Sequence, residues 1–354
     1  MSDAMLAAVV VAPGRVEVQE VLRPQPGPYD ALTRTLACSF CRGTDTHLIH
    51  GSLPFTPPLP FILGHEGVGE VIAVGERCSR FRVGDRVLRA GAAYAPGTPG
   101  PPNLGWGGFA EYGILTDLDA LHEGDPAGRP LAVSPTMQQH VPAGMDPAQA
   151  TVLITLKETL SSLRRARLHP GQSVLILGTG PVGLGFAACA RALGAGQVLA
   201  AGSHTGRLER TGRFGADAGI NPNGGALAPA VKAATAGRGV DLALDAVGDR
   251  SRIGDVLACL APGGAVGLYG VPEGSWQEFQ HISFEVAGAP SWWSLSALNP
   301  DEPSAHDEVL ALVAEGKLDL APFVTHTFPL SQLAAALGAL AGPDAIKVVV
   351  TFGE

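Results

Sequence analysis

The chain has 354 residues, of which 46% are hydrophobic and 16% charged, so it is long enough for two domains and a large core. With a formal net charge of -9 and no lysine- or arginine-rich run, nothing in the sequence indicates binding to nucleic acid or to an anionic membrane. The sequence shows neither an 18-residue apolar span nor a basic leader followed by an apolar run, so we expect a cytoplasmic protein.

The five cysteines are an odd number in a long chain, which argues against a disulfide framework. We therefore expect free thiols or a metal ligand among them. The cysteines are Cys38, Cys41, Cys78, Cys189 and Cys259.

Short apolar runs separated by turns fill the first part of the chain. No long amphipathic helix interrupts them, which predicts a small, mostly β domain. The Gly- and Pro-rich stretch Ala90–Gly108 lacks periodicity and is typical of a long surface loop, after which Gly107–Tyr112 returns the chain to a strand. The predicted strands before this loop are Leu6–Val11, Val16–Val21, Ala31–Cys38, Gly67–Val74 and Asp85–Leu88.

Two polar clusters lie within this β domain. His65 and Glu66 place an imidazole beside a carboxylate in a glycine-rich setting, which suits a metal ligand with an adjacent acid. The segment Cys41–His47 crowds a thiol, a hydroxyl, a carboxylate and an imidazole into seven residues. Each cluster alone is also typical of a capped turn, but the two together favour a chemical site.

A glycine turn follows the predicted buried strand Val174–Leu177. Gly178, Gly180 and Gly183 have G-x-G-x-x-G spacing, in which one glycine allows the turn, one admits a pyrophosphate and one lets helix and strand pack closely. A helix beginning near Pro181 would offer its free N–H groups to that phosphate. An ordinary strand-to-helix turn is the alternative, but the second strand Val198–Ala201 at βαβ distance favours a dinucleotide site.

Strands and helices alternate from Ser173 to about Gly288, which predicts a doubly wound parallel sheet. A helical stretch from Ala148 to about Arg167 leads into it. The further strands are Leu242–Asp245 and Ala265–Leu268, the helices Arg207–Phe214, Ala226–Ala236 and Arg252–Leu260, and the tail has helices near His306–Gly316 and Leu330–Ala341 and a strand Ile346–Phe352.

The motifs together resemble those of the zinc-type medium-chain dehydrogenase/reductase family, which includes alcohol and polyol dehydrogenases. The resemblance rests on GHE-x2-G-x5-G at Gly64–Gly75, GTD-x-H at Gly43–His47, GDRV at Gly84–Val87, GGFAEY at Gly107–Tyr112, GTGPVG at Gly178–Gly183 and the closing KVVVTF. It implies an α/β protein with a GroES-like β domain over 1–154, a Rossmann doubly wound parallel sheet over 155–297, and a return to the catalytic domain over 298–354. The active site would lie in the cleft between the two domains.

The resemblance also implies an NAD(P)-dependent enzyme that interconverts an alcohol and a carbonyl. Cys41 and His65 would bind a catalytic zinc with Glu66 beside the metal, as catalytic and metal residues. Asp45 matches the acid that orients the histidine. Thr44 matches the hydroxyl that hands on the alcohol proton, and His47 the imidazole that passes it to solvent.

Three departures from the family pattern leave alternatives open. Arg42-Gly43 adds one residue after Cys41, which predicts a displaced thiol. The third ligand position falls on Ile154, so Glu158 or Glu66 could replace it, or the site could be empty. Because Val87–Tyr112 contains no cysteine, we expect no structural zinc. The rival functions are a metal-free reductase of a C=C or C=O bond, with Thr44, His47 or a water as proton donor, and a nucleotide-sensing protein without turnover.

Cofactor preference is read after the second strand of the doubly wound sheet. Gly202 stands where NAD-preferring relatives carry an acid, and Ser203, His204 and Arg207 can donate to a 2′-phosphate. We therefore expect NADP(H) in preference to NAD(H), although Arg207 could also be a charge on the helix surface. The remaining residues with an implied role in cofactor binding are Gly178, Gly180, Pro181, Val182, Gly183, Val247, Gly270 and Val271.

The expected partner is a small, uncharged alcohol or carbonyl compound. Trp292 and Trp293 predict core packing or a subunit interface, with one ring as a possible wall for substrate or cofactor. By analogy with the family we expect a homodimer or homotetramer, without nucleic acid or membrane as partner.

Overall fold

The computed structural model describes residues 4–53, 55–94, 98, 100, 102–125, 131, 134–224, 227–270, 292–294 and 301–353. The chain divides into two compact units, one formed by Met1–Ile154 with Phe323–Glu354 and the other by Thr155–Pro322. The second unit includes the buried Glu302, whose carboxylate lies 3.3 Å from Lys157 Nζ. In the structure the chain therefore re-enters the first unit at Phe323. The domain limit expected at residue 298 stays a prediction.

The described elements alternate between short strands and helices. The strands are β1 Ala4–Ala12, β2 Arg15–Leu22, β3 Asp30–Ser39, β4 Phe61–Ile62, β5 Glu66–Val74, β6 Arg86–Leu88, β7 Asn103–Leu104, β8 Tyr112–Thr116, β9 His140–Val141, β10 Ser173–Leu177, β11 Gln197–Ala201, β12 Ala218–Ile220, β13 Val240–Asp245, β14 Leu260–Leu268, β15 Trp292–Ser294, β16 Val324–Pro329 and β17 Lys347–Thr351. The helices are α1 Arg42–His50, α2 Leu118–Gly124, α3 Pro147–Ala150, α4 Val152–Arg165, α5 Pro181–Ala192, α6 Thr205–Leu208, α7 Leu227–Ala234, α8 Ile253–Ala258, α9 His306–Ala314 and α10 Leu333–Ala341.

Two sheets build the first unit. One has the strand order β2-β1-β4-β7, and the other has the order β16-β17-β3-β5-β6-β9 with β8 also paired to β3. In the second sheet β17 runs parallel to β16 and antiparallel to β3, while β3 runs antiparallel to β5. Buried apolar side chains from β3, α1 and α10 share one core, so residues far apart in sequence meet around β3.

A six-stranded parallel sheet with the order β12-β11-β10-β13-β14-β15 forms the centre of the second unit. Val174, Leu175 and Ile176 of the central strand β10 are completely buried, as expected for a strand covered on both faces. The order reverses direction on either side of β10, so the predicted doubly wound sheet is confirmed. The α/β fold class, with strands dominating the first unit and a Rossmann-type parallel sheet in the second, is confirmed with it.

The sequence missed helix α1 and several short strands. The segment Arg42–His50 has few apolar residues, and its helix packs only Leu48 and Ile49 into the core while Asp45 bonds its N-terminus. The strands β12, β15 and β16 were also missed. Three- to six-residue strands give little periodicity from which they could be recognised.

Several predicted boundaries were wrong. The strand expected over Gly107–Tyr112 begins only at Tyr112, because Gly107 adopts a φ of +75° and the intervening residues form a turn bonded to Gly64 and Leu63. The predicted helix Ala148–Arg167 is divided into α3 and α4. The helix predicted over Arg207–Phe214 is divided into α6 and a 3₁₀ turn.

In the described part of the chain, every helix falls short of the length and apolar character needed to cross a membrane.

Candidate active site

His65 and Glu66 stand at the start of β5 because of a close approach between two segments. Gly64 has a φ of +100°, and a Cβ at this position would lie 2.4 Å from the ring of Phe109. Gly108 N donates to Gly64 O at 2.7 Å, which fixes the turn. The result is a buried histidine, 8% exposed, followed by a buried glutamate.

Cys41 lies immediately before α1, at its N-cap, with an extended backbone. Its N–H donates to Asp45 Oδ2 at 2.8 Å, in the manner of a capping box in which a first-turn acid bonds back to the N-cap. Cys41 Sγ, a ring nitrogen of His65 and a carboxylate oxygen of Glu66 all lie within 4.8 Å of one another. The displacement predicted from the additional residue after Cys41 is therefore wrong, because the helix begins after the cysteine.

Asp45 is completely buried and faces the histidine. Its Oδ1 lies 3.3 Å from His65 Nδ1, outside the geometry of a directed hydrogen bond. Burial alone would lower the pKa of His65, but the charge of Asp45 and contacts with Asp45 and Cys41 raise that pKa well above its usual value. A site that favours a proton on this imidazole also favours a metal ion in its place, since both are electron-pair acceptors.

Glu66 is held by two neighbours in the core of the first unit. Lys347 Nζ lies 2.6 Å from its Oε1 and 2.5 Å from its Oε2, and Ser39 Oγ donates to Oε2. Burial would raise the pKa of Glu66, yet the ammonium of Lys347, with smaller contributions from His65 and Ser39, holds this pKa below its usual value. The carboxylate is therefore ionised and neutralised by a buried lysine.

Thr44 and His47 share one face of α1, three residues apart. The thiol of Cys41 donates to Thr44 Oγ1 at 3.6 Å, so this hydroxyl adjoins the cluster. His47 Nδ1 lies 2.7 Å from Ser52 Oγ, and that hydroxyl also contacts the carbonyl of His47 at 3.2 Å. The helix thus presents a hydroxyl and then an imidazole in sequence away from Cys41, in an arrangement suited to proton transfer.

The donor set fits a zinc ion. A thiolate, an imidazole and a carboxylate are all ligands that Zn²⁺ accepts, and a carboxylate facing the second ring nitrogen is the usual support of a metal-binding histidine. Cys41 forms no ion pair within the described part of the chain, and His65 can bind an ion through one ring nitrogen while Asp45 faces its Nδ1. Glu66, in contrast, would have to exchange Lys347 for the ion. Ile154 is completely buried and offers no donor atom. Glu158 belongs to the second unit, where its Oε2 accepts a hydrogen bond of 2.9 Å from Tyr269.

Three functional neighbours of the cluster were missed by sequence reasoning. Besides Lys347, the buried Arg89 donates from Nη1 to His65 O at 3.0 Å, with its own backbone at a φ of +59°. The Trp106 ring lies 5.0 Å from that of His65, and Trp106 also has a positive φ, of +68°. Such backbones are uncommon outside glycine and cluster at functional sites. The only signal in the sequence was Lys347 at the head of an apolar run, where a charge needs a partner.

The glycine turn of the second unit shows a distinct requirement at each position. Gly178 has a φ of +107°, and a Cβ at Gly183 would lie 1.9 Å from Gly178 O, so strand and helix touch there. Gly180 is the N-cap of α5, where no described residue comes within 4 Å of the place that a Cβ would take, and Pro181 follows at the first helical position. Val182 continues that first turn. The open space before a twelve-residue helix is the geometry that accepts a phosphate.

The residues expected around the cofactor differ in their exposure to solvent. Ser203 and His204 are exposed in the loop after β11, whereas Arg207 is buried, so the alternative of a charge on the helix surface is wrong. Val247 is 56% exposed after β13, and a Cβ at Gly270 would lie 2.1 Å from Gly248 N, which brings the turns after β13 and β14 into contact. Val271 and the side chains of the tryptophan pair lie outside the described residues.

Comparisons with known proteins agree with this geometry. Residues 27–123 match the family model of the alcohol dehydrogenase GroES-like domain, and residues 181–293 match that of zinc-binding dehydrogenases. The chain is 30% identical to a sorbitol dehydrogenase of Bacillus subtilis over 274 residues, covering 76% of this chain and 75% of that one. It is 29% identical to an alcohol dehydrogenase of Cupriavidus necator over 369 residues, covering 95% of each.

Among solved structures, the alcohol dehydrogenase TADH from Thermus sp. ATN1 superimposes with a TM-score of 0.80 at 29% identity. The match covers 98% of this chain and 99% of the Thermus chain. Fold, polar cluster and relatives thus agree, and the chain belongs to the zinc-type medium-chain dehydrogenase/reductase family, the family of alcohol dehydrogenases, and is an oxidoreductase.

Proposed function

We propose that the protein is an NADP(H)-dependent oxidoreductase that interconverts an alcohol and a carbonyl, with a catalytic zinc held by Cys41 and His65. The observation that carries this proposal is the cluster of the partly buried Cys41 with the buried His65 and Glu66, in which Asp45 Oδ1 lies 3.3 Å from His65 Nδ1.

The chemistry follows from these side chains. Zinc, when bound, would supply a Lewis acid for the substrate oxygen, and a bound nicotinamide would supply the hydride chemistry. The charge of Asp45 faces Nδ1 of His65 at 3.3 Å, and Lys347 keeps Glu66 ionised beside the ligands. Thr44 Oγ1 would accept the proton of the alcohol as its own hydroxyl proton leaves towards His47, and His47 would pass a proton on to Ser52 and solvent.

The proposed preference for NADP(H) rests on the loop after β11. Gly202 carries no carboxylate to repel a 2′-phosphate, and the exposed Ser203 and His204 offer donors to it. Arg207, in the short helix that follows, adds a buried positive charge near the same loop. The pyrophosphate would bind at Gly180 and the first turn of α5.

A metal-free reductase is the second candidate, and two observations favour it. The position of the expected third ligand is the completely buried Ile154, and both oxygens of Glu66 are already engaged by Lys347. In that case Thr44, His47 or a water would act as proton donor to a reduced C=C or C=O bond. The family identification argues against the third candidate, a nucleotide sensor without turnover.

Metal analysis separates the first two candidates. Protein purified without added zinc should contain close to one equivalent of Zn²⁺, and Cys41→Ser and His65→Ala should each lose it. Cys78→Ser is the matched control, since it removes a partly buried thiol of the same unit outside the cluster. A content below about a tenth of an equivalent in the parent protein would favour the metal-free reductase.

Activity is tested by following NADPH and NADH oxidation across a panel of aldehydes and ketones. We expect turnover with small uncharged carbonyl compounds, with a higher kcat/KM for NADPH than for NADH. A protein without bound zinc that reduces an activated C=C bond, and turns over no carbonyl compound of the panel, would replace the proposed reaction by the second candidate.

We also propose a homodimer or homotetramer. The strand β15 is the last strand in the described order of the parallel sheet, and pairing of this strand with its counterpart in a second chain would continue the sheet. Light scattering after size exclusion should give a mass at least twice the 36.2 kDa of one chain.

A further inference from the structure

Position 202 has no room for a side chain. A Cβ built on Gly202 would lie 2.7 Å from Thr179 Oγ1 and 2.8 Å from Thr179 Cγ2. Both distances are shorter than real Cβ contacts, and Thr179 is only 4% exposed. The side chain of Thr179, inside the glycine turn, therefore fills the space that any residue other than glycine would need.

The need for glycine at 202 is steric rather than conformational. Gly202, unlike Gly178 and Gly215, does not have a positive φ. Its backbone conformation is therefore one that other residues adopt. The two backbones are also tied in place, because Gly202 N donates to Ile220 O at 3.0 Å and Gly178 N to Ala201 O at 2.8 Å. Moving either turn to make room would break a hydrogen bond of the sheet edge.

The branched side chain of Thr179 makes this block independent of its rotamer. Two of the three staggered γ positions of Thr179 face the Cβ that Gly202 lacks, and threonine fills two of the three positions with heavy atoms. Every rotamer therefore leaves at least one heavy atom in the way. Valine at 179 would block the Cβ space of position 202 in the same manner. Serine has only one γ oxygen and can rotate it to the γ position that does not face residue 202.

We propose that Thr179 is a specificity-determining residue for the cofactor, acting through position 202. It keeps that position free of the carboxylate that would hold the ribose of NAD(H), and so leaves the loop of Ser203 and His204 to the 2′-phosphate of NADP(H). This inference rests on the proposed function, in which NADP(H) is the preferred cofactor. It adds that glycine at 202 and threonine at 179 act as a pair, so a change at 202 alone cannot reverse the preference.

The test uses Gly202→Asp alone and combined with Thr179→Ser or Thr179→Val. Two properties of the full chain are measured: Tm without cofactor, and the Kd for NADPH and NADH from the quenching of protein fluorescence. Gly202→Asp alone should lower Tm and weaken both cofactors. Adding Thr179→Ser should restore Tm and shift the ratio of the two Kd values by about 10-fold or more towards NADH. Adding Thr179→Val should restore neither, although it differs from threonine only by exchange of a hydroxyl for a methyl.

The inference is overturned if Gly202→Asp alone keeps the parent Tm and prefers NADH. It is also overturned if Thr179→Ser and Thr179→Val restore the Tm of the Gly202→Asp variant equally. A parent protein that prefers NADH would refute the proposed cofactor, and with it the specificity role. The Tm comparison of serine and valine would still show separately whether Thr179 closes position 202.

Discussion

Lys347 Nζ contacts both carboxylate oxygens of Glu66, at 2.6 Å and 2.5 Å, although the two residues are 281 positions apart. Both side chains are almost fully buried, with 1% and 2% exposed. The strand β17 therefore supplies the countercharge for the acid beside Cys41 and His65. Stability of the first unit and chemistry of its polar cluster depend on the same ion pair.

Removing that countercharge should destabilise the protein strongly. Lys347→Met leaves the Glu66 carboxylate buried without its cation, which typically costs about 3–5 kcal/mol of unfolding free energy. Lys347→Arg should retain most of the unfolding free energy of the parent protein. Chemical denaturation measures both, with Lys317→Met as control, because Lys317 is 57% exposed in a surface ion pair. Equal unfolding free energies for Lys347→Met and Lys317→Met would contradict the role given to the buried pair.

The acid limit of stability should depend on Asp241, which joins β10 and β13. Arg238, outweighing the opposing effect of burial and aided by Ser173, lowers the pKa of Asp241 to about 2. Because the folded pKa lies below the unfolded one, the carboxylate stabilises the fold above about pH 4, and this contribution disappears as the pH falls through about 2. After allowance for screening by water we expect about 1 kcal/mol.

Asp241→Asn should therefore be less stable than the parent at pH 6, and the difference should shrink towards pH 3. Unfolding free energies across this range give the measurement. Glu315→Gln is the control, since Glu315 is 54% exposed in its ion pair with Lys317. A difference that stays constant with pH would show that Asp241 acts through shape and not through its charge.

Loss of the Thr44 hydroxyl should slow turnover without unfolding α1. Thr44→Val keeps the shape but cannot pass a proton, and general acid–base steps of this kind typically contribute about 100-fold or more to kcat. Thr44→Ser should keep most of the parent rate. Steady-state kinetics at saturating cofactor measures the effect. Thr46→Val removes an exposed threonine of the same helix, and a similar fall in kcat for this variant would show that the proposed relay is wrong.

Trp106 should affect substrate preference. Its ring adjoins that of His65 at 5.0 Å and meets Phe55 edge to face at 6.1 Å, so it gives the polar cluster an apolar aromatic wall. Trp106→Ala should raise KM about 10-fold for an aromatic alcohol and much less for a short aliphatic one, while Trp106→Phe should lie between. An equal change of KM for both alcohols would mean that the ring only supports His65.

Local patterns predicted much of the molecule. Gly178, Gly180 and Gly183 predict their turn because each glycine answers a constraint set by its immediate neighbours. The buried strands around them are short and continuously apolar, as parallel strands are. In the same way the segment Gly64–Glu66 indicated a polar cluster.

What the sequence could not show depends on distant segments. Lys347 meets Glu66 only because β17 pairs with β3 and β3 with β5, and no local spacing encodes that order. Helix α1 was not predicted because it has little apolar periodicity of its own. It is stabilised by packing of Leu48 and Ile49 and by the hydrogen bond from Cys41 N to Asp45. The block between Thr179 and Gly202 likewise requires two turns that meet only in the folded sheet.

The placement of β17 has a consequence for synthesis on the ribosome. The second unit is continuous in the chain, from Thr155 to Pro322, so all of its residues have been translated before the last strand of the first unit. The first unit waits for Lys347–Thr351 to fill the gap between β3 and β16, and until then Glu66 has no cation. The half of the protein made first is therefore finished last, and a nascent chain that stalls before residue 347 would present an open β-sheet to chaperones and proteases.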